Sequence, residues 1–277
     1  MRLVEIRRYP VKSLRGHALK EAMIEPIGIA GDRRWMIVDE TGRFLTQRQI
    51  PKLAQIDVEL TPGGVTLRHD RHGALTIAVP DKDAALETVT VWRDAVKARS
   101  AAAARDYLSS FLGRPVDLVY LDNVAARPVN PAYGRGDDRV SFADGFPLLI
   151  VSTSSLDDLN RRLDAPVPMD RFRANLIVAG APAWAEDSWR RIRVGGLTAR
   201  IVKPCSRCTV PTLDPLTDER PHGNEPIDTL AGFRRGAEGG VMFGQNAVPD
   251  KFGRIAVGDE VEVIEQGPSN VFLRGAS

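Results

Sequence analysis

The sequence predicts an α+β protein built on a strand-rich, barrel-like sheet joined by two helices. Three observations predict it. Short apolar or alternating runs of strand length recur between turn residues, only two stretches carry helix signals, and no repeat or low-complexity segment stands out. With 277 residues, 43% of them hydrophobic, the chain can bury a sizeable core divided between two closely packed parts.

The front half reads as strands. Leu3–Ile6 opens it, and Arg34–Val38 is a short apolar run that turns at Glu40–Arg43 into Phe44 and Leu45. Ile56–Leu60 alternates, turns at Pro62–Gly64 and returns as Val65–Arg68. Two further strands are expected at Leu75–Val79 and Val89–Trp92. Ser100–Leu112 predicts the first helix, with Ser100 as cap and Gly113–Pro115 as stop. The Pro-, Gly-, Asn- and Arg-rich stretch from Asp122 to Arg139 divides the chain into 1–122 and 123–277.

In the second half Pro147–Val151 reads as a buried strand. The second helix, capped by Ser154 or Ser155, sets Leu156, Leu159 and Leu163 on one face. Asn175–Val178 and Leu197–Val202 are further strands, and a long loop runs to about Asn224 before the closing strand near Gly258–Ile264.

Charge and composition exclude several classes. Lys plus Arg number 38 against 36 Asp plus Glu, a net +2, so no strong basic excess marks a nucleic-acid binder. No run reaches the ~20 apolar residues of a membrane helix, and the first residues alternate charged and apolar unlike a signal peptide. Two cysteines form no disulfide framework and suit a reducing compartment, which predicts a cytoplasmic protein.

Both cysteines lie in Lys203-Pro204-Cys205-Ser206-Arg207-Cys208-Thr209. A thiolate is a nucleophile and a soft metal ligand, and Lys203 and Arg207 favour the ionised form. Four uses stand open: a redox dithiol, a metal site with His222, a single thiolate holding a metal that brings its own ligands, and plain packing. Pro204, Pro211 and Pro215 argue against the dithiol, which needs a helix start. A four-ligand zinc site lacks a second pair, because no two of the four histidines have zinc-finger spacing. A metal bringing its own ligands would be anionic. Lys12 and Ser13, Arg33 and Arg34, Arg48, and Arg171 and Arg173 offer cationic turns for it.

Taken together, Tyr9–Ser13, Asp32–Trp35, Phe172–Asn175, Ala185–Trp189, Cys205–Thr209 and Phe243–Asn246 occur in the order seen in MOSC-domain proteins. Over nearly its whole length the chain resembles that family, and within it the amidoxime-reducing components and their bacterial counterparts. The resemblance implies a barrel-like MOSC domain over 123–277 packed with an N-terminal β-barrel-like domain over 1–122. It implies a molybdenum cofactor (Mo-molybdopterin) whose metal is bound by Cys208, the catalytic ligand. Lys12, Ser13, Arg33, Arg173 and Asn175 would hold the pterin and its phosphate, and Ser206 and Arg207 would add contacts beside the metal. Asp144-Gly145-Phe146 stands where the family uses a hydroxyl-bearing tripeptide, so only backbone contacts carry over there.

The implied activity is reduction of small N-hydroxylated compounds: amidoximes, hydroxylamines and N-hydroxylated bases. Relative to the family, the membrane anchor and the cysteines of an iron–sulfur domain are missing. Electrons are therefore expected from a separate protein, a ferredoxin-like or cytochrome-like carrier with its reductase. The competing expectation is a non-catalytic carrier of the cofactor, or of sulfur as a Cys208 persulfide.

Overall fold

A computed structural model describes residues 1–273. The fold is α+β and strand-rich, as the sequence predicts. One sheet has eight strands, in the order Val261–Gln266, Trp189–Val194, Leu197–Arg207, Val241–Lys251, Leu148–Ser152, Leu176–Ala179, Arg2–Arg8 and His17–Leu19. Its single parallel pair, Leu148–Ser152 beside Leu176–Ala179, needs a crossover, and the helix Thr153–Asn160 supplies it. Three smaller sheets complete the molecule. One pairs Trp35–Asp39, Val116–Tyr120, Asp94–Ser100 and Leu86–Val91. A meander joins Asp57–Thr61, Gly64–His69 and Gly73–Ala78, and Gly253–Ala256 pairs with Glu21–Glu25.

Two apolar clusters position everything else. Leu3, Ile6, Leu176, Val178 and Ile192 fill the space over the large sheet. Trp35, Ile37, Leu53, Val65, Leu67 and Leu108 fill the front half. Each such side chain contributes about 1.5–3 kcal/mol on full burial. The N-terminal strand therefore does not stay with its own half: Leu3 sits opposite Val178 and Ile6 opposite Leu176. No helix among the described residues is long and apolar enough to cross a membrane.

Four local expectations are corrected. Ser100 caps no helix. It ends the strand Asp94–Ser100, and its hydroxyl bonds Asp117 Oδ2 at 2.6 Å, so the helix proper is Arg105–Leu112. The helix Thr153–Asn160 is capped by Ser152, whose Oγ accepts from Ser155 N at 3.1 Å. The strand entering the cysteines does not stop at Val202 but runs to Arg207. Register shifts on either side of Pro204 leave that proline where its missing N–H breaks no ladder. Finally, the long loop is followed by a helix at Ile227–Arg234, begun after Pro226, that the sequence reading did not contain.

Candidate functional site

The ends of remote strands converge on one pocket. Arg2–Arg8 delivers Tyr9–Ser13, the segment after Gly28–Ile29 delivers Asp32 and Arg33, and the turn before Leu176–Ala179 delivers Arg173 and Asn175. The strand Leu197–Arg207 delivers Cys205, Arg207 and, just past its end, Cys208. Of the further cations offered, Arg48 lines this pocket while Arg34 and Arg171 do not, and of the residues assigned to metal or cofactor all but one line it: Lys12, Ser13, Arg33, Arg173, Asn175, Arg207 and Cys208. Ser206 does not. Strand alternation turns it outward, where its hydroxyl approaches Gly240.

Backbone strain concentrates here. Ser13, Arg33 and Arg173 all adopt left-handed conformations, with φ of 68°, 46° and 53°. Such conformations cost a non-glycine residue about 1–3 kcal/mol and persist only where surrounding contacts hold them. Those contacts are present. Gln47 Nε2 donates to Ser13 O at 2.7 Å, Arg33 N to Tyr9 O at 2.7 Å, and Arg173 N to Asp170 O at 3.0 Å.

Tyr9 is the platform on which two cations rest. The Arg33 and Arg173 guanidinium carbons lie 4.2 and 4.3 Å from its ring centroid. The buried phenol donates to Ala174 O at 3.2 Å, and the ring leaves so little room that a Cβ at Gly16 would fall 2.2 Å from it. Asp32 takes a hydrogen bond from Tyr9 N at 2.7 Å and from Arg33 Nη1 at 2.6 Å. Asn175 is a clasp: its Oδ1 accepts from Arg33 Nη1 (3.2 Å) and Leu149 N (3.1 Å), and its Nδ2 donates to Arg7 O (3.2 Å). It ties the large sheet to the Arg33 turn.

The pocket is positive. Lys12, Arg33, Arg48, Arg173 and Arg207 face it, and Asp144 is the one carboxylate among the lining residues. Burial, then the neighbouring Arg33 charge, pulls the Arg173 guanidinium down to about 10. Burial likewise lowers Lys12, although Asp144 partly offsets it through a 2.5 Å ion pair. Desolvation would raise the Asp144 carboxyl, but the Lys12 charge and hydrogen bonds from Lys12 and Trp92 outweigh it and hold the group well below the usual carboxylate range. Much of the Asp144 side-chain surface remains exposed, so its low value comes from these partners rather than from enclosure.

The two thiols differ. Cys205 Sγ accepts from Arg207 Nη1 at 3.0 Å, while Cys208 Sγ has no hydrogen-bond partner among the described residues. Arg207 also donates Nη2 to Phe172 O at 2.7 Å, and its buried Nε has no partner. Among the described residues no three His, Cys, Asp or Glu side chains form a metal-binding group, so Cys205, Cys208 and His222 do not assemble a protein-only centre. Cys205 sits in a strand, not at a helix start, which removes the geometry of a thioredoxin-type dithiol.

Sequence reasoning missed two contributors, the Asp144 side chain and Gln47, and named Arg48 only as a cation. Asp144 acts through its side chain, not its backbone alone. Gln47 and Arg48 line the pocket from a turn noted only for its charge. Arg48 rests on Trp92 at 4.5 Å and has no carboxylate partner among the described residues, a contact no spacing along the chain reveals.

Comparison with known proteins identifies the domains. The MOSC N-terminal beta barrel domain matches residues 1–115 and the MOSC domain matches residues 137–262. The chain is 33% identical to human mitochondrial amidoxime-reducing component 1, over 93% of this chain and 81% of that protein. It is 29% identical to human mitochondrial amidoxime reducing component 2, over 91% and 80%. It is also 28% identical to a molybdenum cofactor sulfurase of Oryza sativa subsp. japonica, over 85% of this chain but 31% of that longer protein. An N-terminal barrel domain and a MOSC domain in sequence, with a relative this similar across most of both chains, make this protein a member of the MOSC-domain family.

Proposed function

We propose that this protein is a molybdenum-cofactor-dependent oxidoreductase that reduces N-hydroxylated compounds with electrons from a separate carrier protein. The observation that carries the reading is one pocket joining an unpartnered thiol, Cys208, to five cations and a single, already paired, carboxylate. Such a donor set fits a group that is anionic at one end and soft-metal at the other. The unpartnered Arg207 Nε and the depressed Arg173 fit it too, since a bound anion would relieve both.

In this reading Cys208 Sγ is the protein's ligand to molybdenum, and Arg33, Arg173 and Lys12 hold the pterin and phosphate. Arg207 stands beside the metal, and Asn175 acts one step back by holding Arg33. Ser13 offers its backbone and hydroxyl at a strained turn fixed by Gln47. When bound, the cofactor supplies two-electron chemistry, so that substrate N–OH, two electrons and two protons yield N–H and water. The protein's part is to keep the charged pocket preorganised, so that little rearrangement accompanies binding. Both cysteines are free thiols, which suits a reducing cytoplasm. We place the functional division of the chain at 122/123, between the two matched domains.

The test is protein expressed in a host that makes the cofactor. About one molybdenum and one pterin per chain, with benzamidoxime reduced by reduced viologen but not by NADH alone, supports the reading. Zinc without pterin would sink it. The relative named as a cofactor sulfurase motivates the rival carrier reading, which predicts bound cofactor inert to substrates yet transferable to an apo-enzyme.

A further inference from the structure

A second, open groove of about 720 Å³ adjoins the pocket and shares with it Asp144, Gly145 and Phe146. Its walls carry three aromatic side chains: Trp92, Tyr133 and Phe146, the last two in edge contact with centroids 6.0 Å apart. Its charges are one-sided. Asp94 is taken by Arg127 at 2.9 Å and Asp144 by Lys12. Arg43, Arg93 and Lys203 have no carboxylate partner among the described residues, and Lys203 lies over the Tyr133 ring at 4.3 Å.

Trp92 occupies an unusual position for so large a side chain. It is the first of the two residues joining Leu86–Val91 to Asp94–Ser100, with φ of 58°, where tight hairpins favour glycine. Its indole nevertheless remains 40% exposed. It is held in place by Phe44 at 5.2 Å, by Arg48, and by a 3.3 Å hydrogen bond from Nε1 to Asp144 Oδ1. A strained backbone bearing a large, fixed and exposed ring places that ring at the seam between groove and pocket.

We infer that this groove recognises a planar conjugated ring carrying an anionic group. The ring packs against Trp92, Phe146 and Tyr133, and the anion meets Lys203, Arg43 and Arg93. Flat rings stack on aromatic faces with little dependence on their substituents, while the unpaired cations select charge. That the ligand is the substrate rests on the proposed function; that the groove binds such a molecule does not.

Calorimetric titration of the cofactor-loaded protein with AMP, adenosine and ribose 5-phosphate tests this. AMP should bind at least tenfold more tightly than either half. Lys203→Glu should weaken AMP at least tenfold and leave adenosine within twofold. Trp92→Gly, which suits the left-handed backbone and keeps the hairpin, should weaken both AMP and adenosine about tenfold. Arg193→Ala, a cation that lines neither the groove nor the inner pocket, should leave AMP within twofold. AMP binding no tighter than ribose 5-phosphate, or unchanged by Lys203→Glu, overturns the inference. So does a Lys203→Glu defect seen only when an acidic carrier protein delivers electrons, because the groove would then be a protein-docking surface. Intact AMP binding without turnover of any N-hydroxylated compound would overturn the proposed function and leave the groove standing.

Discussion

Arg207 holds the sulfur of Cys205 at 3.0 Å, and the same guanidinium is anchored to the Phe172 carbonyl at 2.7 Å. The first cysteine is thus engaged by a cation that is itself fixed, while Cys208 faces the pocket without a protein partner among the described residues. Two thiols three positions apart have been given different surroundings.

Cys208→Ala is therefore expected to reduce copurifying molybdenum to background. Cys205→Ala should leave at least about half, with a loss no larger than the ~1.5–3 kcal/mol of one hydrogen bond to a charged group. Elemental analysis of the two variants decides. The reverse pattern would make Cys205 the ligand.

Arg33→Ala and Arg173→Ala should each weaken cofactor retention by about 1.5–3 kcal/mol, the scale of a hydrogen bond to a charged group. Lysine at either position should restore only part, because an ammonium lacks the planar fork. Pterin released after gel filtration measures the effect. Wild-type occupancy in both alanine variants would return the pair to a role in folding alone.

The pH dependence has a definite sign. Burial lowers both Lys12 and Arg173, the latter to about 10. Raising pH therefore discharges Lys12 below the ordinary lysine range of about 10.4 and Arg173 near 10, removing positive charge from the pocket. Cofactor retention should fall as pH climbs toward 10. The cofactor-free protein should respond oppositely to these two groups, since above their folded values its unfolded chain binds more protons and stability rises with pH. Parallel slopes for retention and apo stability would contradict the assignment.

Asp187 is expected to matter for stability, not chemistry. Its carboxylate takes both Arg234 nitrogens at 2.7 and 3.0 Å and Gln245 Nε2 at 2.7 Å, all buried. Asp187→Ala leaves Arg234 buried and unpaired, a loss of about 3–5 kcal/mol, or roughly 10 °C in melting temperature for a chain of this size. Molybdenum per folded molecule should be unchanged. Calorimetry and metal analysis on one sample separate the two effects.

The legible parts of the fold were those with strong local period. The alternation of Ile56–Leu60 and Val65–Arg68 appears as a hairpin with Asp57 opposite Arg68 and Val58 opposite Leu67. What was hidden depended on partners. Pro204 reads as a strand stop until bulges opposite Gln245 and Asn246 accommodate it. Ser100 reads as a cap until Asp117 claims its hydroxyl. Ile227–Arg234 has only a weak apolar stripe, with Gly232 inside it, and is held by burial of Leu230. The nominated site residues were found through the order of short motifs along the chain, because Lys12, Arg33, Arg173 and Cys208 lie far apart in sequence. The Asp144 side chain and Gln47 escaped because their place in the pocket is a matter of what they touch.

The placement of Arg2–Arg8 beside Leu176–Ala179 has a consequence for synthesis. Leu3 pairs with Val178, so the strand Arg2–Arg8 must wait until about 175 further residues have been made. At about 5–20 residues per second that interval is roughly 9–35 s. Throughout it the central sheet cannot close, and the strand's unpaired edge is open to other chains. Pairings this distant also slow folding, because loop closure must precede the contacts that reward it. Slow closure of the central sheet is thus built into the topology, and loading of the proposed cofactor, which in our reading uses Lys12 and Arg173 together, would follow it.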